Sequence, residues 1–275
     1  MQKIWVCGAR GQIGQAVNDV VDKLEFEMLD TDVDDLDVTD TDEVLRFGEM
    51  NRPDIIINCS GMTDISSCEE NPSQAFKVNA LGARNLAIVA AKMQAKMVQL
   101  STDDVFDGKS TEPYTEFDIT NPGTVYGKSK LAGENYVKEF TTKHFIVRST
   151  WVYGKGQNFI NGFLKKVDAG EQLSIASDQF GSPTSANELA RFLLHLVHTS
   201  EYGTYHATNK GVCSRYVFAQ EILKMTGKTA SMQPVPTVMS DFSKVRPAYA
   251  VLDNFIMSMV PIYDFPDWQD SLREY

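Results

Sequence analysis

The sequence has no apolar run approaching the ~20 residues needed to cross a bilayer, so no membrane-spanning helix is expected. It also lacks paired cysteines. Cys7, Cys59, Cys68 and Cys213 show no C-x-x-C spacing, and reduced core thiols are expected in place of a disulfide or zinc site. The four histidines, His144, His195, His198 and His206, make no metal pattern. His195 and His198 share a predicted helix, but no carboxylate or cysteine follows at ligand spacing. Positive charge is scarce: a net charge of −11 argues against binding nucleic acid or an anionic membrane. An anionic small ligand must then be held by local dipoles and a few cations. Repeats, low-complexity linkers and a signal-peptide pattern are absent as well. Met1-Gln2-Lys3 leads directly into a strand-like run, and cytoplasm is the expected location.

What is present is an alternation of short buried strands with helices. Strands are expected at 3–7, 26–30, 54–59, 97–101 and 144–148, with helical spacing between them and one long helix over 74–97. This predicts an α/β fold with a Rossmann-type, doubly wound parallel sheet. Residues 1–150 form the expected dinucleotide-binding domain, with a helix at 186–199 packing back on it. Residues 151–275 read as mainly a smaller substrate domain. Its elements are a helix near 159–169, a strand at 204–207 and a last helix near 214–225.

The first strand runs straight into Gly8-Ala9-Arg10-Gly11-Gln12-Ile13-Gly14. Gly8 permits a tight turn, Gly11 lets the backbone approach a pyrophosphate, and Gly14 lets helix and strand pack closely. Free N–H groups at the helix start face the phosphates. Gly8, Arg10, Gly11, Gln12, Ile13 and Gly14 are therefore candidate cofactor contacts; the alternative is a tight βα turn with no ligand. Asp30 ends the second strand, placed to accept from the adenosine ribose hydroxyls. No Arg or Lys follows it until Arg46, so a ribose 2′-phosphate would meet a row of carboxylates. NADH is therefore expected to be preferred over NADPH.

Residues 30–43 imitate the start of an EF-hand, but Asp35 stands where glycine is required and Thr41 where glutamate is, which excludes calcium. Asp37 and Val38 are candidate adenine contacts instead, with helix capping near 39–42. The loop after the third strand, with Gly61, Met62 and Thr63, is expected beside the glycine turn.

The stretch 99–134 carries the chemistry. Thr102 and Asp103 end a buried strand, and Tyr126 and Lys130, four apart on a helix, project from one face. Free tyrosine titrates near ~10, and an adjacent ammonium favours its phenolate. Thr102 supplies a hydroxyl to the oxygen that Tyr126 protonates, which reads as a carbonyl-reduction site. Tyr-x-x-x-Lys alone is weak. A surface helix with a lysine snorkelling past an aromatic would give the same pattern.

Taken together, the motifs resemble those of dTDP-4-dehydrorhamnose reductase, a family of extended short-chain dehydrogenases. They are Gly8-x-x-Gly11-x-x-Gly14, Ser-Thr102-Asp-x-Val-Phe-Asp-Gly, Val-Tyr126-Gly-Lys-Ser-Lys130-Leu-Ala-Gly-Glu and Thr-Trp151-Val-Tyr-Gly. Further matches are Glu-Glu-Asn-Pro72 through Val-Asn79-Ala-Leu-Gly, Asp178-Gln-x-Gly-x-Pro-Thr184, and Arg246-Pro247 before a Leu-Asp pair. The resemblance runs nearly end to end.

It implies reduction of a nucleotide-linked 4-keto sugar by NADH or NADPH. Tyr126 would be the proton donor, Lys130 would hold the nicotinamide ribose, and Thr102 would orient the carbonyl. Asp103 and Trp151 would contact the sugar. Two departures stand out: Asp104 replaces the usual tyrosine, and Ser60-Gly61-Met62 an Ala-Ala-aromatic run. Some relatives bind magnesium at a dimer contact. The matching positions here are Ala16, Glu188 and Phe192, so no metal site is expected, while a homodimer stays open.

Two other readings compete. A nucleotide-sugar dehydratase would use acids directly after Thr102, where Asp103 and Asp104 stand, and would recycle its cofactor. A catalytically silent nucleotide-binding subunit would need no intact Thr102, Tyr126 and Lys130.

Overall fold

The structure is a computed structural model that describes residues 1–239 and 247–275. Arg246 of the Arg246-Pro247 motif lies outside the described residues. The first half runs β1 (Gln2–Cys7), α1 (Gln12–Val20), β2 (Phe26–Thr31), α2 (Thr41–Asn51), β3 (Ile55–Asn58), α3 (Ile65–Glu70) and α4 (Pro72–Phe76). A π-helical turn (Lys77–Gly82) joins α4 to α5 (Ala83–Met93), followed by β4 (Lys96–Thr102), α6 (Val125–Phe140) and β5 (His144–Ser149). The second half adds β6 (Val152–Tyr153), α7 (Phe159–Asp168), β7 (Leu173–Ala176), β8 (Phe180–Gly181), β9 (Thr184–Ser185) and α8 (Ala186–His198). It ends with β10 (Gly203–His206), β11 (Cys213–Ser214), α9 (Arg215–Thr226), β12 (Met232–Val235), β13 (Tyr249–Ala250), α10 (Phe255–Met259) and α11 (Trp268–Glu274).

The apolar runs of β1, β3, β4 and β5 are buried on both faces, as continuous Val/Ile-rich strands of a parallel sheet require. Six strands pair in parallel in the order β2-β1-β3-β4-β5-β10. The edge strand β10 thus comes from the second half of the chain. One face of the sheet packs on α1 and α8 through Ile4, Val6, Phe192 and Leu193. The other face packs on α2 and α5 through Trp5, Ile56, Leu86 and Met97. Trp5 has no exposed surface and donates its indole N–H to Thr31 Oγ1 at 2.8 Å. Emptying that position would cost about 3–5 kcal/mol. A third cluster, around Tyr153, Phe163 and Phe218, belongs to residues 151–275.

The long helix expected over 74–97 is not continuous. It begins at Pro72, passes through the π turn and stops at Met93. Asn79 in that turn sends its side-chain amide out to Met62 and Ser129, the kind of functional contact where π-bulges occur. The stop is a left-handed Gln94 (φ 58°), after which the Ala95 N–H returns to the Ala90 carbonyl at 2.9 Å.

The chain leaves β1 toward β2 on one side and toward β3 on the other. The reversal opens a crevice at the carboxyl ends of β1 and β3, where ligands of such sheets bind.

Candidate functional site

Gly8 follows β1 with φ 76°, and a Cβ there would lie 2.7 Å from the Ser60 nitrogen. The glycine turn and the loop after β3 therefore touch backbone to backbone. Gly11 is the N-cap of α1 and makes no side-chain cap. The first N–H groups of that helix are left to a ligand or to water. Gln12 and Ile13 open the helix; Gln12 reaches the Gln157 carbonyl at 3.2 Å, and Ile13 packs on the core.

At the other end of the turn the Arg10 N–H donates to Asp32 at 2.8 Å. Its guanidinium pairs with Asp34 and Asp35, each at 2.7 Å. The carboxylate row after β2 therefore has a cation laid across it, a contact that residue order alone does not reveal. Asp30 is exposed at the end of β2. Asp37 accepts from the Thr39 N–H at 2.8 Å. Val38 is buried, and its carbonyl accepts from Asn85 at 3.0 Å.

Helix α6 is fixed at its start by two caps. Thr124 accepts from the Gly127 N–H at 2.9 Å, and Glu69 of α3 accepts from the Val125 N–H at 2.8 Å. Tyr126 and Lys130 follow on one face, 8% and 4% exposed. A Cβ on Gly61 would lie 3.6 Å from Lys130 Nζ, which brings the helix to the loop after β3. Burial pulls the Lys130 ammonium down to about 8, against the opposing pull of the Glu134 carboxylate. Among the described residues Lys130 Nζ has no hydrogen-bond or ion-pair partner. A nearly buried ammonium beside the crevice fits a ribose hydroxyl, and the open backbone at Gly8 and Gly11 fits a pyrophosphate, so the residues suit a dinucleotide.

Asn79 sets the same region from below. It accepts from the Met62 N–H at 2.8 Å and donates to Ser129 Oγ at 2.9 Å, and Ser129 in turn donates to the Tyr126 carbonyl at 2.8 Å. Thr63 lies exposed at the edge of the loop. On the far side, Thr102 ends β4 directly opposite Ser149 on β5. The Thr102 hydroxyl donates to Asp103 at 3.0 Å and accepts from the Asp104 N–H at 3.2 Å. Asp103 and Asp104 are both buried in the 3₁₀ turn that follows. A cavity of about 450 Å³ opens beside them, between Glu69, Thr124 and Pro247.

Trp151, just past β5, is held in a left-handed conformation (φ 46°). The Arg215 guanidinium lies 3.5 Å above its ring, and a Cβ on Gly181 would come within 2.5 Å of the ring. Neither clamp is visible from spacing, although Gly181 lies inside the Asp178-to-Thr184 motif. A larger cavity of about 870 Å³ between α7, α9 and α11 has none of Thr102, Tyr126 and Lys130 on its wall.

Beneath the site a fully buried Glu134 receives Arg148 Nε and Nη2 at 2.9 and 2.7 Å and Ser101 Oγ at 2.6 Å. Arg148 and Ser101 hold its carboxyl below the usual range despite burial. Losing one partner of such a pair costs about 3–5 kcal/mol. An arginine closing the apolar run His-Phe-Ile-Val was its sequence signal.

A family model described as RmlD substrate binding domain matches residues 1–275. The spore coat polysaccharide biosynthesis protein SpsK of Bacillus subtilis is 34% identical, over 100% of this chain and 97% of that protein. A crystal structure of a dTDP-4-dehydrorhamnose reductase from Clostridium acetobutylicum superposes with a TM-score of 0.97 at 41% identity, covering 100% of this chain and 98% of that one. The dTDP-4-dehydrorhamnose reductase of Bacillus anthracis, solved in complex with NADP, gives 0.96 at 35% identity, covering 100% and 99%.

Proposed function

The chain belongs to the RmlD substrate binding domain family, and from that premise we propose that it reduces the 4-keto group of dTDP-4-dehydro-L-rhamnose to give dTDP-L-rhamnose. The observation that carries this reading is that α6 buries Tyr126 and Lys130, packs its Gly127 on the Asp104 backbone two residues past Thr102, and brings Lys130 to Gly61 in the loop beside the glycine turn.

A reduced nicotinamide, when bound, supplies the hydride. Negative charge that develops on the sugar oxygen needs a positioned acid, and Tyr126 donates its phenolic proton there. Lys130 stabilises the phenolate left behind and holds the ribose. Thr102 turns its hydroxyl from Asp103 to the same oxygen, while Asp103 and Trp151 contact the sugar. Backbone groups at Gly8, Gly11 and Gly14, with Arg10, Gln12 and Ile13, take the pyrophosphate half of the cofactor. Asp30, Asp37 and Val38 take the adenosine, and Gly61, Met62 and Thr63 line the other half. NADH is the preferred donor in this reading, because Arg10 is engaged by two of the carboxylates that crowd the ribose.

Residues 1–150 act in it as the cofactor domain, completed by α8 and β10, and most of 151–275 as the sugar-nucleotide domain. The reaction is assigned to the cytoplasm, in keeping with four unpaired thiols.

The test is to mix the purified protein, dTDP-4-dehydro-L-rhamnose and either reduced cofactor, and to follow the near-ultraviolet absorbance of the reduced nicotinamide. Loss in step with sugar consumed is expected. No loss with either cofactor, despite measurable cofactor binding, would move the search to other 4-keto sugars.

A further inference from the structure

Tyr126, Lys130 and Glu134 stand at successive four-residue steps of α6 and share one face. Glu134 is the innermost, with no exposed surface. Its two hydrogen-bond partners, Ser101 and Arg148, face each other in register across β4 and β5. Ser101 is the residue before Thr102. One carboxylate therefore ties the helix that carries Tyr126 and Lys130 to the strand end that carries Thr102.

We infer that Glu134 is a positioning residue of the reduction, fixing α6 on β4 and setting the field in which Tyr126 and Lys130 work. The inference rests on the reductase reading above. Its geometric half is the Ser101 hydrogen bond of 2.6 Å. Sliding α6 along β4 would break that bond and shift Tyr126 and Lys130 relative to the strand end that carries Thr102. Its electrostatic half concerns the balance of charge. Arg148 and Lys138 surround Glu134, and Lys130 is drawn upward by the Glu134 charge against its own burial. Neutralising Glu134 leaves Arg148 uncompensated, so both Lys130 and Tyr126 shed protons more readily.

The other groups facing this helix leave that sign unchanged. Cys59, just past β3, is pushed up to about 12 by burial and stays a neutral thiol. Glu69 of α3 is bound to the Val125 N–H, and Arg84 of α5 lies over Phe140 at the distant end. Asp103 and Asp104 follow Thr102 and are retained in every variant below. His206 of β10 is held neutral, down to about 3, by burial and by Arg148.

The experiment compares the pH dependence of kcat for the parent, Glu134→Gln and Ser101→Ala, with folding checked by cooperative thermal unfolding. In Glu134→Gln the alkaline limb, which belongs to the Tyr126–Lys130 pair as a unit, is expected at lower pH by about one unit. Ser101→Ala keeps the charge, so its limb is expected to stay in place while kcat falls several-fold at unchanged cofactor affinity. A folded Glu134→Gln with the parent's limb overturns the electrostatic half, and an unchanged kcat in Ser101→Ala overturns the geometric half. Should Glu134→Gln fail to fold, Ser101→Ala decides. A parent enzyme that consumes no NADH or NADPH refutes the reductase reading itself, before either variant is compared.

Discussion

Asn79 grips Met62 by both ends of its amide: Oδ1 accepts from the Met62 N–H at 2.8 Å, and Nδ2 donates to the Met62 carbonyl at 2.9 Å. The same Nδ2 reaches Ser129, so one buried side chain holds the loop after β3 against α6. Asn79→Ala leaves the Met62 N–H without a partner and the Met62 carbonyl with only the weak Cys68 thiol, at a cost of about 1–3 kcal/mol in stability. Cofactor affinity is expected to weaken by about tenfold, equivalent to about 1.4 kcal/mol. Urea unfolding and a cofactor titration check both; an unchanged Kd would mean that the loop is not held by Asn79.

Gly181 admits the ring of Trp151. Gly181→Ala brings a methyl within 2.5 Å of that ring, and overpacking of this kind costs about 1–3 kcal/mol. The expected signature is a raised KM for the sugar nucleotide with an unchanged cofactor Kd. A rise in cofactor Kd alone would remove Trp151 from the sugar's surroundings.

Lys130 is a stability liability. Its ordinary value is 10.5, and burial lowers it to about 8 in the folded protein. Below about 8 the lysine is charged in both states, and burying that charge penalises folding in full. Between about 8 and 10.5 the unfolded chain binds a proton that the folded protein has released, so this contribution to stability rises with pH. Lys130→Met is therefore expected to raise Tm near neutral pH while abolishing turnover, with the gain shrinking toward pH ~10. Thermal scans across that range test it, and a Tm below the parent's at pH ~7 contradicts it.

Arg10 is withheld by Asp34 and Asp35. Asp34→Asn with Asp35→Asn frees it to meet a ribose 2′-phosphate. The ratio of kcat/KM for NADPH over NADH is expected to rise by about tenfold, about 1.4 kcal/mol. Stability should hardly change, because exposed pairs contribute about 0–1 kcal/mol. An unmoved ratio would show that the latch plays no part in cofactor choice.

The fold could be read in the sequence wherever an element is regular. The apolar runs of β1, β3, β4 and β5 and the helical spacing of α1 and α6 announce themselves because burial on both faces, or along one stripe, dictates composition. The glycine turn was equally legible, since Gly8 answers to a backbone need. The π turn at 77–82 was not, because the Ala and Leu spacing around it suits an unbroken helix and the break is decided by what Asn79 binds across space. The Arg10 latch, the Glu69 cap and the clamp of Arg215 and Gly181 on Trp151 were hidden for the same reason. Each joins residues at least 24 positions apart through geometry that no local pattern encodes.

The central claim is that hydride passes from the nicotinamide to the sugar while Tyr126 supplies the proton. The most direct test runs the reaction with reduced cofactor deuterated at the transferring position and examines the sugar by NMR, with the wild-type protein and with Tyr126→Phe. The account predicts one deuterium at C4 of the sugar for each cofactor oxidised, and at least ~10²-fold slower turnover in Tyr126→Phe with cofactor binding retained. Product formed without net oxidation of the cofactor, or an unimpaired Tyr126→Phe, would contradict it.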